Sequence, residues 1–157
     1  MIKNLGILIA FYILSISANA AEWSNIPFHE NAQNKNEYVF SNSAAKQISY
    51  EIKAKYPSLE ILSFYKKSIG NKWSICKGKE QWDSFGDLAG ESPLFIHQLI
   101  QYWVNYSENK FIMLAIKYES QGSEYLEYPD TNIQKVFLVE YKENDLSQVL
   151  KMLKLEC

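Results

Sequence analysis

Two runs rich in β-branched and aromatic residues, 96–106 (IHQLIQYWVNY) and 111–118 (FIMLAIKY), are separated by only four polar residues, Ser107-Glu108-Asn109-Lys110. So short a connection turns the second run back beside the first, and the pair predicts an antiparallel hairpin. The second run is apolar at odd and even positions alike. A strand of that kind needs cover on both faces, which places it centrally in its sheet.

The flanking sequence extends this picture. Residues 72–76 (KWSIC) predict a short strand and residues 133–141 (IQKVFLVEY) a longer one. Asn144 or Asp145 is expected to cap a last helix in which Leu146, Val149, Leu150 and Leu153 share a face. Upstream, Ser43 reads as an N-cap, with Ala44, Ile48, Ile52 and Lys55 following at helical spacing. Pro57 disfavours helical backbone at Tyr56 and ends that helix. Ser58 starts a second one carrying Leu59, Leu62, Tyr65 and Ile69, with Gly70 expected as a left-handed C-terminal residue. Gly78, Gly86, Gly90 and Pro93 mark the segment before the hairpin as a loop. The expectation is an α+β fold: an antiparallel sheet of about four strands, with two N-terminal helices and a C-terminal helix packed on one face. Residues 21–42, polar and Asn-rich, read as a loosely ordered lead-in to a single domain over 43–157.

Residues 1–20 carry an address. Lys3 gives a positive start, 5–17 (LGILIAFYILSIS) is uncharged and mostly apolar, and Ala18-Asn19-Ala20 is a small-x-small site. Thirteen helical residues span about 20 Å, short of the ~30 Å hydrocarbon core of a bilayer. This predicts a cleavable secretory signal with cleavage before Ala21, rather than a membrane anchor. No Cys stands at the cleavage site, so the bacterial lipoprotein route is not indicated. The expected location is periplasmic or secreted. In an oxidising compartment the two cysteines, Cys76 and Cys157, are expected to pair as a disulfide.

Charge removes some functions without selecting one. All 16 basic residues are lysines, against 18 acidic ones, for a net charge of −2. With no arginine and no basic excess, an electrostatic footprint for nucleic acid is missing. Catalytic motifs of three common kinds are missing too: no GxSxG, P-loop or GxGxxG occurs. The two histidines, His29 and His97, come without HExxH or CxxC spacing, so no metal site or cofactor is expected. His29 reads as a loop histidine and His97 as a structural one.

The carboxylates are the remaining chemistry. Asp83, Asp87 and Glu91 recur every four residues through WDSFGDLAGE, a spacing read as a solvated acidic loop. As a hydrolase they would need one buried acid with a raised pKa. A second acidic stretch over 119–130 combines Glu119, Glu124 and Glu127 with Tyr125 and Tyr128. Tyrosine offers contact area and a hydroxyl at small entropic cost, which makes this loop the candidate contact surface. Trp103 joins it as a candidate if its strand face is open. The resulting expectation is an exported protein-binding module of the bacterial envelope, of inhibitor, immunity or accessory type, with a protein partner and no catalysis. A small-ligand or glycan-binding domain is the alternative, and a carboxylate hydrolase a third.

Overall fold

A computed structural model describes residues 23–41, 44–77, 80–87, 93–121 and 133–157. Its elements are β1 (Gln33–Val39), β2 (Ala45–Lys53), α1 (Ser58–Ser68), β3 (Ser74–Ile75), β4 (Glu80–Asp87), β5 (Pro93–Asn105), β6 (Lys110–Gln121), β7 (Ile133–Lys142) and α2 (Leu146–Met152). The strands form one seven-stranded sheet in the order β1-β2-β7-β6-β5-β3, with β4 paired to β5 beside β3. Every pairing is antiparallel.

The expected α+β arrangement of four strands and three helices is therefore corrected: the described residues are mostly sheet, with two short helices among them. The first expected helix is strand β2. Ala44, Ile48 and Ile52, spaced by four, satisfy a helical stripe and a two-residue alternation equally well. Tyr50 breaks the tie. Ala45 sits at the start of the strand, and Ile48, Tyr50 and Ile52 are buried on one face while the residues between them are half-exposed. That is the period of a half-buried strand. A second correction falls on WDSFGDLAGE, read as a loop. Its first part continues β4, where Asp83 lies opposite His97 and Gly86 opposite Leu94. Glycine is tolerated there because β4 lies on an edge of the sheet.

The hairpin of β5 and β6 forms as expected, and β6 lies between β5 and β7. Its turn is held by the Asn105 side chain, whose Oδ1 accepts from the Ser107 hydroxyl at 2.8 Å and the Glu108 N–H at 3.2 Å. Asn109 takes the left-handed backbone the turn needs, with φ of 52°.

The alternation of β5 and β6 divides the core into two layers. Leu99 and Trp103 from β5, with Ile112, Leu114 and Ile116 from β6, meet Ile61, Leu62 and Tyr65 of α1. Val104 and Phe111 face the other way and meet Leu146 and Leu150 of α2. The two helices thus cover opposite faces, which corrects the expectation that all helices share one. Asp145 caps α2, its carboxylate accepting the Gln148 N–H at 3.0 Å. At the end of α1, Ile69 is extended and Gly70 is not left-handed, so the anticipated glycine cap is absent. Lys66 and Lys67 in the last turn oppose the negative end of the helix dipole instead.

Cys76 and Cys157 are joined by a disulfide, 81 residues apart in sequence. It ties the C-terminal residue to the segment just after β3, under the α2 layer. Among the described residues no helix is long and apolar enough to cross a membrane.

Candidate functional site

Two buried polar centres lie beneath α1. In the first, the Ser58 hydroxyl is 2.9 Å from His97 Nε2 and 3.0 Å from Gln134 Oε1. The pair resembles a nucleophile with its base, so its protons need assigning. Gln134 donates from Nε2 to the Tyr56 carbonyl at 2.7 Å, which turns Oε1 toward Ser58. Oε1 can only accept, so the single Ser58 proton goes to it. His97 Nε2 then donates to Ser58 Oγ. A histidine that presents N–H to the hydroxyl is not poised to remove its proton. This cluster pins the first residue of α1 to β5 and β7, while Pro57 stands at the N-cap position.

In the second centre, Glu140 of β7 is 2% exposed and Lys110 of β6 is 5% exposed. Lys110 Nζ lies 3.3 Å from Glu140 Oε1 and 3.0 Å from Glu108 Oε2. Ser24 completes the centre, its N–H donating to Glu140 Oε2 at 2.9 Å and its hydroxyl to Oε1 at 3.0 Å. Burial pulls the Lys110 ammonium downward. The Glu108 hydrogen bond and the Glu140 charge outweigh it and hold the group above its ordinary value. The hydrogen bond from Lys110 holds the Glu108 carboxyl below its ordinary range. The centre fastens the N-terminal segment across the sheet, with Ile26 and Phe28 docked on the core behind it.

At the surface, two features stand apart. The first is β1, which no other described strand flanks on its outer side. All seven of its residues are exposed. Tyr38 is 51% and Phe40 is 40% exposed, with Val39 between them at 43%. The Tyr38 and Phe40 rings meet edge to face with centroids 5.0 Å apart. A register shift between Gln33 and Asn36, with Asn34 at φ of 48°, bulges the other end of the strand. Bulges and lysines such as Lys35 blunt an edge against strand addition.

The second feature is a pair of cavities around the end of α1. One, of about 430 Å³, is bounded by Trp23, Asn25, Trp73, Lys72, Glu108 and Lys110 among others. The other, of about 500 Å³, is bounded by Lys66, Lys67, Trp73, Ile75 and Trp103. Ile69, Gly70, Asn71 and Trp73 wall both.

The sequence-derived candidates scatter. Trp103 is 3% exposed and belongs to the α1 layer of the core, with one wall of the larger cavity. Glu119 lies in β6 opposite Ile96. Glu124, Tyr125, Glu127 and Tyr128 lie outside the described residues, as does Glu91. Asp83 and Asp87 lie in β4. His29, read as a loop histidine, is buried, packs edge-on against Phe64 at 4.8 Å, and accepts the Asn31 N–H at Nδ1. His97 is structural, as read.

Several residues escaped the sequence reading. Tyr38 and Phe40 fall within the expected lead-in over 21–42, although EYVF after a polar tract is a signal for an edge strand. Glu140 is a lone acid inside VFLVEY, which marks a buried carboxylate needing a partner. No local signal joins Trp23, Trp73 and Trp103, which meet only through topology. Comparison with known proteins finds no matching family model, no matching curated protein and no matching solved structure.

Proposed function

We propose that the chain is an exported protein-binding module, of inhibitor, immunity or accessory type, that grips its partner through side chains at the β1 edge. The observation that carries this reading is the Tyr38–Phe40 pair, two exposed aromatics in edge-to-face contact with Val39 between them. Exposed clustered aromatics are costly to solubility and are enriched where proteins meet. The bulge and Lys35 at the far end of β1 disfavour plain strand pairing, so recognition rests on the aromatic pair. Export is supported by the signal-like residues 1–20 and the disulfide. The acidic, tyrosine-bearing stretch 119–130 is kept as a second contact. β6 leaves and β7 returns at the sheet end away from Tyr38, since Ile133 pairs with Lys53 whereas Tyr141 pairs with Ala45.

The test is capture by tagged mature protein in the envelope of its native host. One protein should be enriched, and the Tyr38→Ala/Phe40→Ala double variant should weaken that complex 10- to 100-fold, the range for losing an aromatic anchor. Retention of the partner by that variant would remove the β1 edge from the reading. The paired cavities favour a second reading, an exported domain that binds a small ligand or glycan.

A further inference from the structure

We infer that the paired cavities at the end of α1 form one binding cleft for an acidic saccharide, a sugar chain bearing carboxylates. The inference rests on the second reading above and names its ligand class. Trp23 and Trp73, each partly exposed, border the cavities, and Trp103, buried in the core, backs the second. Trp73 borders both, with part of its ring packed on the core, so it forms a fixed partition between them. Tryptophan combines a broad apolar face with a polar edge, the surface on which sugar rings stack. Asn25 and Asn71 add amide donors and acceptors of the kind that sugar hydroxyls need.

Charge selects among sugars. The charged side chains bordering the two cavities are Lys66, Lys67, Lys72 and Lys110 against Glu108 alone. In a chain of net charge −2 this is a local reversal of sign. Lys110 is shared between Glu108 and the buried Glu140, and Lys72 also acts on Glu108, so Lys66 and Lys67 carry most of the cleft's positive character. Ammonium groups recognise carboxylates as point charges without demanding bidentate geometry, which suits a flexible chain of uronic acids. Lys66 and Lys67 also serve the helix end, but Lys72 lies beyond α1 and has no such role.

The test uses mature, oxidised protein titrated with galacturonic acid oligosaccharides and, in parallel, with neutral cello-oligosaccharides of equal length, read by calorimetry and tryptophan fluorescence. The expected result is saturable binding of the acidic chain with a fluorescence change. Affinity should fall with added salt, at least tenfold in Lys67→Glu/Lys72→Glu and at least tenfold in Trp73→Ala. The lysine variant alters surface side chains only, so it remains informative if Trp73→Ala fails to fold. Equal binding of the neutral chain would keep a sugar cleft but overturn the acidic class. Binding of neither would overturn both the inference and the reading beneath it. Acidic binding that survives the lysine variant would place the site elsewhere and overturn the assignment.

Discussion

Gln134 fixes its amide by donating to the Tyr56 carbonyl, and the proton order through Ser58 to His97 follows from that one contact. Gln134→Leu keeps the volume but removes the acceptor of the Ser58 proton and the donor to the part-buried Tyr56 carbonyl, so urea denaturation should show a loss of about 1–3 kcal/mol. The Lys110–Glu140 pair is more sensitive. Lys110→Met strands a carboxylate that is 2% exposed, and a loss of about 3–5 kcal/mol is expected. The double variant Lys110→Met/Glu140→Leu should lose less than the sum of the two single changes in the same assay, because no unpaired charge is left behind. Tyr50 and Tyr65 set an alkaline limit. Their hydroxyls lie 3.1 Å apart in the core, and burial pushes Tyr65 from 10.0 to about 12 and Tyr50 higher still. The folded state therefore favours the protonated phenols. Their stabilisation is complete below pH 10.0; that of Tyr65 is lost as pH rises through about 12, and that of Tyr50 over a still higher range. Thermal melts should show Tm falling steeply across that interval, and less steeply in Tyr50→Phe/Tyr65→Phe.

Elements were legible where a single period was consistent with the sequence. β5, β6 and β7 fall where their apolar content placed them, and α2 begins at the Asp145 cap. β2 was not legible as a strand because spacing by four belongs to both periods, and only Tyr50 separates them. β1 has no apolar face at all, so its strand character comes from pairing with β2 rather than from its own sequence. β4 was obscured by Gly86, whose effect as a breaker is weak on an edge. The proposed binding surfaces were less legible still. Tyr38 and Phe40 stand out only once β1 is known to be the last strand. The cleft gathers Trp23, Trp73 and Trp103 from three distant segments.

At the scale of the whole molecule, the disulfide is the long-range constraint that the sequence predicted correctly. Closing 81 residues is worth about 4 kcal/mol on the chain-entropy account. Cys76→Ala/Cys157→Ala should lower stability by up to that amount in denaturant titrations and loosen the α2 layer first, since Cys76 and Cys157 pack with Leu146 and Leu150. The sheet carries one layer on each face, and in the proposed reading the exposed side chains at β1 meet the partner. The most direct test of that account is a photoreactive amino acid placed at Phe40 in the exported protein, irradiated in its native host, with Leu59, an exposed residue on α1, as the control position. The prediction is one heterologous crosslinked species from position 40 and none from position 59. The same species from both positions, or only adducts between copies of this chain, would contradict a partner held at the β1 edge.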